Sequence, residues 1–214
     1  MNYMNTAENT IAYLHTQCAR YPALQIQDLL KALHQSVYGC GHFVTAEAAG
    51  LLAREWAALP PDAASDVESL DGQFYRLHLG YAVQNGLSPK TLLQIFMLSA
   101  EAPAGSKAEL EKKLSVLLDP ATRLPFSHQE LSAAVERWRT EGFPACHHSP
   151  AFQAAYHPAY RVIRREFVPL LPLLAAIDRT LLERPRVILA IEGGSASGKT
   201  TLAALLARIY DSAV

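Results

Sequence analysis

Apolar positions in the first part of the chain recur at three- and four-residue steps, the spacing of an amphipathic helix. In "QIQDLLKALHQSV", Ile26, Leu29, Leu30, Leu33 and Val37 form one stripe. Ala48, Leu51, Leu52, Trp56 and Leu59 repeat the pattern behind Thr45, which is placed to cap that helix. Later helices are marked by the chemistry of their starts. Ser88-Pro89 sets a cap oxygen before a proline at the first helical position, where no amide donor is needed. Ser106 with Glu109 and Ser127 with Glu130 fit the capping box, and Phe126 and Leu131 are spaced for a hydrophobic staple. Cys18 falls in phase with Ile11 and Leu14, and Trp56 and Trp138 lie on apolar stripes, so all three are expected in the core.

Between these helices, "PPDAASDVESLDG" (60–72) reads as a loop. In the "FYRLHLGY" that follows, Tyr75, Leu77, Leu79 and Tyr81 alternate with Arg76 and His78, which fits a short strand or a helix running to Asn85. "GFPACHHSP" (142–150) is a second break, and a helix from about Tyr160 to Glu183 is expected beyond it, bent at Pro169 and Pro172. The pattern changes at Pro185. "RVILAI" is a run of branched apolar residues, as in a strand buried on both faces of a parallel sheet. A glycine-rich turn and a helix with Leu202, Leu205, Leu206 and Ile209 on one face come next. The expected fold is mainly α: a multi-helix domain over 1–184, then over 185–214 the opening of an α/β unit with one strand, one loop and one helix.

Composition narrows the classes of partner. Half of the 214 residues are hydrophobic, 18% are charged and the formal net charge is −1, so a core can form and nothing draws the chain to nucleic acid or an anionic membrane. "FVPLLPLLAAI" is too short and proline-rich to span a bilayer, and the N-terminus lacks the pattern of a signal peptide. Three scattered cysteines (Cys18, Cys40, Cys146) make no disulfide framework. These features predict a cytoplasmic protein; a homo-oligomer is kept among its expected states.

The strongest chemical signal is Gly193-Gly194-Ser195-Ala196-Ser197-Gly198-Lys199-Thr200, which satisfies G-x-x-x-x-G-K-[ST]. Glycines let the backbone turn its amides inward onto phosphate oxygens, and the helix behind them directs its positive end there. Lys199 suits the β- and γ-phosphates, Thr200 suits Mg²⁺, and Thr201 adds a phosphate contact. The run "GGSASGKTTLA" resembles the loop of the uridine kinase and phosphoribulokinase-like P-loop kinases. That resemblance implies ATP and Mg²⁺ as cofactors at residues 193–201, and an activity that phosphorylates a hydroxyl of a nucleoside or another small molecule. In such kinases the second acidic Mg²⁺ ligand, the acceptor-orienting residue and the lid lie downstream of the loop, so an incomplete, inactive unit is expected here.

The helical part carries further candidates. "HQSVYGCGHFV", "FYRLHL" and "HHSPAFQAAYHPAYRVI" are richer in polar and aromatic residues than a plain bundle requires. Together they resemble segments of a bacterial group that joins a helical N-terminal domain to a uridine-kinase-like P-loop domain. Three readings stand open. In the first, Arg76 and Arg161 bind a phosphate or carboxylate, His42 or His148 acts as acid or base, His78 shares the face of Arg76, and Ser149, Tyr156 and Tyr160 converge nearby. In the second, Cys40, His42, Cys146, His147 and His148 hold zinc. In the third, these side chains cap helices and satisfy loop backbone. A small-ligand or regulatory module with a vestigial nucleotide site is the alternative to the kinase.

Overall fold

A computed structural model describes residues 6–41, 44–101 and 105–211. The described residues are mainly helical, with a three-stranded antiparallel sheet of order β1-β2-β3. The chain runs α1 (Thr6–Arg20), α2 (Ile26–Tyr38), α3 (Ala48–Ala57), β1 (Val67–Ser69), β2 (Phe74–His78), α4 (Leu79–Asn85), α5 (Pro89–Ala100), α6 (Lys107–Leu118), α7 (His128–Thr140), α8 (Pro150–Tyr156), β3 (Tyr160–Arg164), α9 (Leu171–Glu183) and α10 (Lys199–Tyr210). No helix among these residues is long and apolar enough to cross a membrane.

The helix starts follow the local chemistry. Ser88 Oγ accepts from the Thr91 amide at 3.1 Å, and both capping boxes form, Ser106 with Glu109 and Ser127 with Glu130. Phe126 and Leu131 join the same apolar cluster, as a staple requires. Thr45 does not cap α3: Glu47 holds the cap position, and the Thr45 hydroxyl accepts from the Glu47 amide at 3.3 Å. Trp138 is buried, whereas Cys18 and Trp56 are half-buried at the edges of separate clusters.

Three expectations about the middle of the chain change. The loop over 60–72 contains β1, because Val67, Glu68 and Ser69 pair with Leu77, Arg76 and Tyr75 of β2. "FYRLHLGY" is a strand followed by a helix, the switch falling between His78 and Leu79. The predicted helix from Tyr160 is instead β3, then a 3₁₀ turn over Arg165–Leu170 that contains Pro169, and only then α9. Branched Val162 and Ile163 favour the strand, and β2 offers a full ladder from Phe74↔Arg164 to His78↔Tyr160.

The register sorts the sheet into two unlike faces. Tyr75, Leu77 and Ile163 join the cluster built from α4, α5, α9 and α10. Glu68, Phe74, Arg76, His78, Tyr160 and Val162 lie on the other face, toward α1 and α2. A third cluster packs α1, α2, α6, α7 and α8 around Leu14, Leu33, Leu114 and Trp138.

The end of the chain departs furthest from expectation. Residues 187–191 form no strand, and Ile188 and Leu189 are 85% and 42% exposed. A parallel strand requires hydrogen-bonded neighbours, and the sheet of the described residues has its three strands elsewhere. The helix does form: α10 sets Leu206 and Ile209 into the cluster of α5 and α9, and the Tyr210 hydroxyl reaches the Leu174 carbonyl at 3.1 Å.

Gly80 opens α4 beneath the 60–72 segment, where a Cβ would lie 2.5 Å from the Ala64 carbonyl oxygen and 2.7 Å from that of Ala63. Both are backbone atoms and cannot swing away. Gly80→Ala is therefore expected to destabilise the protein by about 1–3 kcal/mol, read as a lowered urea midpoint at unchanged slope.

Candidate functional site

Two places among the described residues gather the candidates that the sequence singles out. The first is the polar face of the sheet. Arg76, 1% exposed in the central strand, donates from Nε and Nη2 to Gln35 Oε1 (3.3 and 3.1 Å) and from Nη1 to Gln17 Oε1 (3.3 Å). Its Nη1 also lies 3.5 Å from Glu68 Oε2, and its guanidinium sits 5.0 Å above the Tyr160 ring. Glu68 accepts from Gln17 and from the Tyr21 hydroxyl. Burial alone would raise the Glu68 carboxyl, but the His78 ring, Arg76 and Gln17 pull it down to about 2. His78 Nε2 stands 3.6 Å from Glu68 and 3.7 Å from Asp66, outside hydrogen-bond reach, and both ring nitrogens are buried.

Beside this network runs a chain of hydrogen bonds from α2 to β3. Ser149 caps α8, and its amide and hydroxyl both donate to Asp28 (2.8 and 2.6 Å). The Gln25 amide donates to the same carboxylate at 3.0 Å. Burial would raise the Asp28 carboxyl, yet these bonds together with His148 hold it below its ordinary range. A carboxylate only accepts, so His148 Nδ1, 2.9 Å away, carries the proton. His148 Nε2 is then an acceptor for the Tyr160 hydroxyl at 2.7 Å. Burial depresses His148 to about 4, against the pull of Asp28, so its ring is neutral at pH 7.

Tyr160 and His148 form part of the wall of a cavity of about 790 Å³ between α2, α3, α5, α8 and β3. Lys31 and Arg161 also line it. Burial and the charge of Arg76 bring Lys31 down to about 8. Arg161 pairs with Glu55 at 2.6 Å.

The structure thus brings His148, Ser149 and Tyr160 together as the sequence suggests, and sets Arg161 in the same cavity wall. It separates the two arginines by role: Arg76 is spent on Gln17, Gln35 and Glu68 within the sheet face and is not an open anion ligand. His78 shares its face, also buried. Tyr156 turns elsewhere, accepting from the Ala23 amide. His42 lies outside the described residues. Among the described residues no three His, Cys, Asp or Glu side chains gather as a metal site, and both nitrogens of His148 are already engaged. Asp28, Lys31, Gln35 and Glu68 escaped the sequence reading. The one available signal was the polar spacing of 28, 31 and 35 on α2.

The second place is the loop over 193–201. Lys199 folds back so that its ammonium donates to the carbonyls of Gly193 (2.8 Å) and Gly194 (2.6 Å). Ala196 (φ 58°) and Gly198 (φ 82°) take the left-handed turn that closes this ring. Gly198 is the N-cap of α10 and offers no side chain, so the first amides of the helix have no capping oxygen from it. At Gly193 a Cβ would come 2.8 Å from Ser197 Oγ. Lys199 is half-buried, and Gly194, Ser195, Ala196, Ser197, Gly198, Thr200 and Thr201 are exposed.

No protein-family model matches the chain, and neither does any curated protein or solved structure.

Two outcomes follow from the buried network. With His148 depressed to about 4, the unfolded chain binds one more proton than the folded chain between there and the ordinary 6.5. Stability therefore falls as pH drops through that window, by roughly 3 kcal/mol if the whole shift is expressed. His148→Gln should flatten the urea midpoint over the upper part of the window, while the loss from protonating Glu68 persists below pH 4.5. Arg76→Ala strands a buried carboxylate and should cost about 3–5 kcal/mol, most of it recovered by adding Glu68→Gln.

Proposed function

We propose that residues 193–201 grip the phosphates of ATP, with Mg²⁺ on Thr200, and that the chain serves an ATP-dependent phosphotransferase of the uridine-kinase-like kind with a small-molecule hydroxyl as acceptor. One observation carries this reading: the loop wraps around the Lys199 ammonium, whose bonds among the described residues are to the Gly193 and Gly194 carbonyls of its own ring. A phosphate oxygen is a better partner for an ammonium than a neutral carbonyl, so the lysine has a ligand to exchange for. The helix start supplies amides aimed the same way, and the bare Gly193 and Gly194 backbone allows close approach. ATP would bring the transferable phosphoryl group. The chain's own part is to hold the triphosphate at fixed amides and neutralise it with Lys199, while exposed Thr200 offers its hydroxyl to the metal.

A second reading, a small-ligand module in the helical part, is favoured by a separate observation, the cavity beside His148 and Tyr160.

Titration calorimetry with ATP and Mg²⁺ tests the first reading. Lys199→Ala should weaken binding at least tenfold while leaving the circular dichroism unchanged, since the loop adds nothing to the core. Equal affinity of the variant and the parent would remove Lys199 from the site.

A further inference from the structure

We propose that the cavity between α2, α3, α5, α8 and β3 is a binding site for a small organic carboxylate with an apolar body, gripped by Arg161 and Lys31 against the Tyr160 wall. This goes beyond the nucleotide loop and does not depend on it.

Charge is the first reason. Two cationic side chains and one carboxylate, Lys31, Arg161 and Glu55, line the cavity, and the depressed His148 adds no positive charge at pH 7. Both cations line the cavity itself, whereas the Asp28 carboxylate, which also acts on Lys31, is engaged by His148 and Ser149. The cations are also poised. Arg161 Nη1 donates to Glu55 (2.6 Å) and to the Tyr160 carbonyl (3.0 Å), which holds the guanidinium at the wall. Lys31 reaches out of α2 to the Cys146 carbonyl at 3.1 Å. An anion between the two gains charge-assisted bonds in a site where water is partly excluded.

Shape is the second reason. About 790 Å³ is far more room than an inorganic anion fills, and lies within the range of small-molecule sites. Phe96 and Val162, both buried core residues, turn part of their surface to this space, and Leu51 beside them is 40% exposed. These side chains suit a carbon skeleton and give an inorganic ion nothing.

Rigidity is the third. Asp28, bonded to Ser149, Gln25 and His148, fixes the His148 ring, and His148 fixes the Tyr160 hydroxyl. That hydroxyl donates to Nε2 and also lies 3.4 Å from Gln35 Oε1, so Tyr160 is a fixed wall of the cavity. Glu55, by contrast, is an exposed α3 side chain that competes with the ligand for Arg161.

Calorimetry with benzoate, phenyl phosphate and benzyl alcohol as probes tests the site, performed in the Lys199→Ala background so that the loop over 193–201 contributes nothing. Benzoate should bind, and uncharged benzyl alcohol at least tenfold more weakly. Arg161→Gln should weaken benzoate about tenfold or more. Glu55→Gln, a surface change that leaves the fold alone, should tighten it severalfold by releasing Arg161. Benzoate binding indifferent to both substitutions, or no binding at all, would overturn the proposal. Tighter binding of phenyl phosphate, largely a dianion at pH 7.5, would overturn the carboxylate assignment. Loss of ATP binding in Lys199→Ala bears on the loop alone, so the two readings fail separately.

Discussion

A guanidinium taken out of water in the central strand of a small sheet governs how the rest of this molecule is arranged. Arg76 cannot lose its charge, and desolvating it without partners would cost more than a single core contact returns. Its solution is distributed: Glu68 comes from β1, Gln17 from α1, Gln35 from α2, and the Tyr160 ring from β3 lies beneath it. Two neighbouring strands and two helices distant in sequence must therefore meet at one sheet face in one register. A slip of one residue in β2 would turn Arg76 toward the apolar cluster of Leu77 and Ile163.

That constraint also explains why the helices were easier to foresee than the sheet. Capping boxes at Ser106 and Ser127 and the stripe of α2 are local, and local signals survive into the fold. Strand β1 has three residues and no periodicity of its own; it exists because Glu68 is drawn to Arg76 and Val67 to Leu77. Strand β3 is hard to see in the sequence because it runs without a break into the 3₁₀ turn and α9. Its Arg161 is turned to a cavity and to Glu55. The candidate site was legible to the same degree. His148, Ser149 and Tyr160 could be grouped because they share one short polar and aromatic stretch, while Asp28, which orders them, sits 120 residues earlier than His148 on another helix.

The two candidate sites differ in how they are held. The cavity wall is fixed by buried hydrogen bonds whose loss would disturb the core, so its residues combine structural and chemical duties. The loop over 193–201 rests on less: Ile191 ahead of it is half-buried against the cluster of α5 and α9, and α10 behind it packs there through Leu202, Leu205, Leu206 and Ile209. Its shape comes from local covalent preferences and from Lys199 binding its own carbonyls.

The apolar run over 187–191 is where these two kinds of order meet. Its branched side chains are suited to a sheet interior, yet Ile188 is 85% exposed, while the helix that follows is docked. Burying a single isoleucine is worth about 1.5–3 kcal/mol, so leaving one in water is a standing drive toward any surface that can pair this segment. The backbone there also has unsatisfied strand hydrogen-bonding capacity, which the sheet of the described residues, with β1 and β3 at its edges, does not meet.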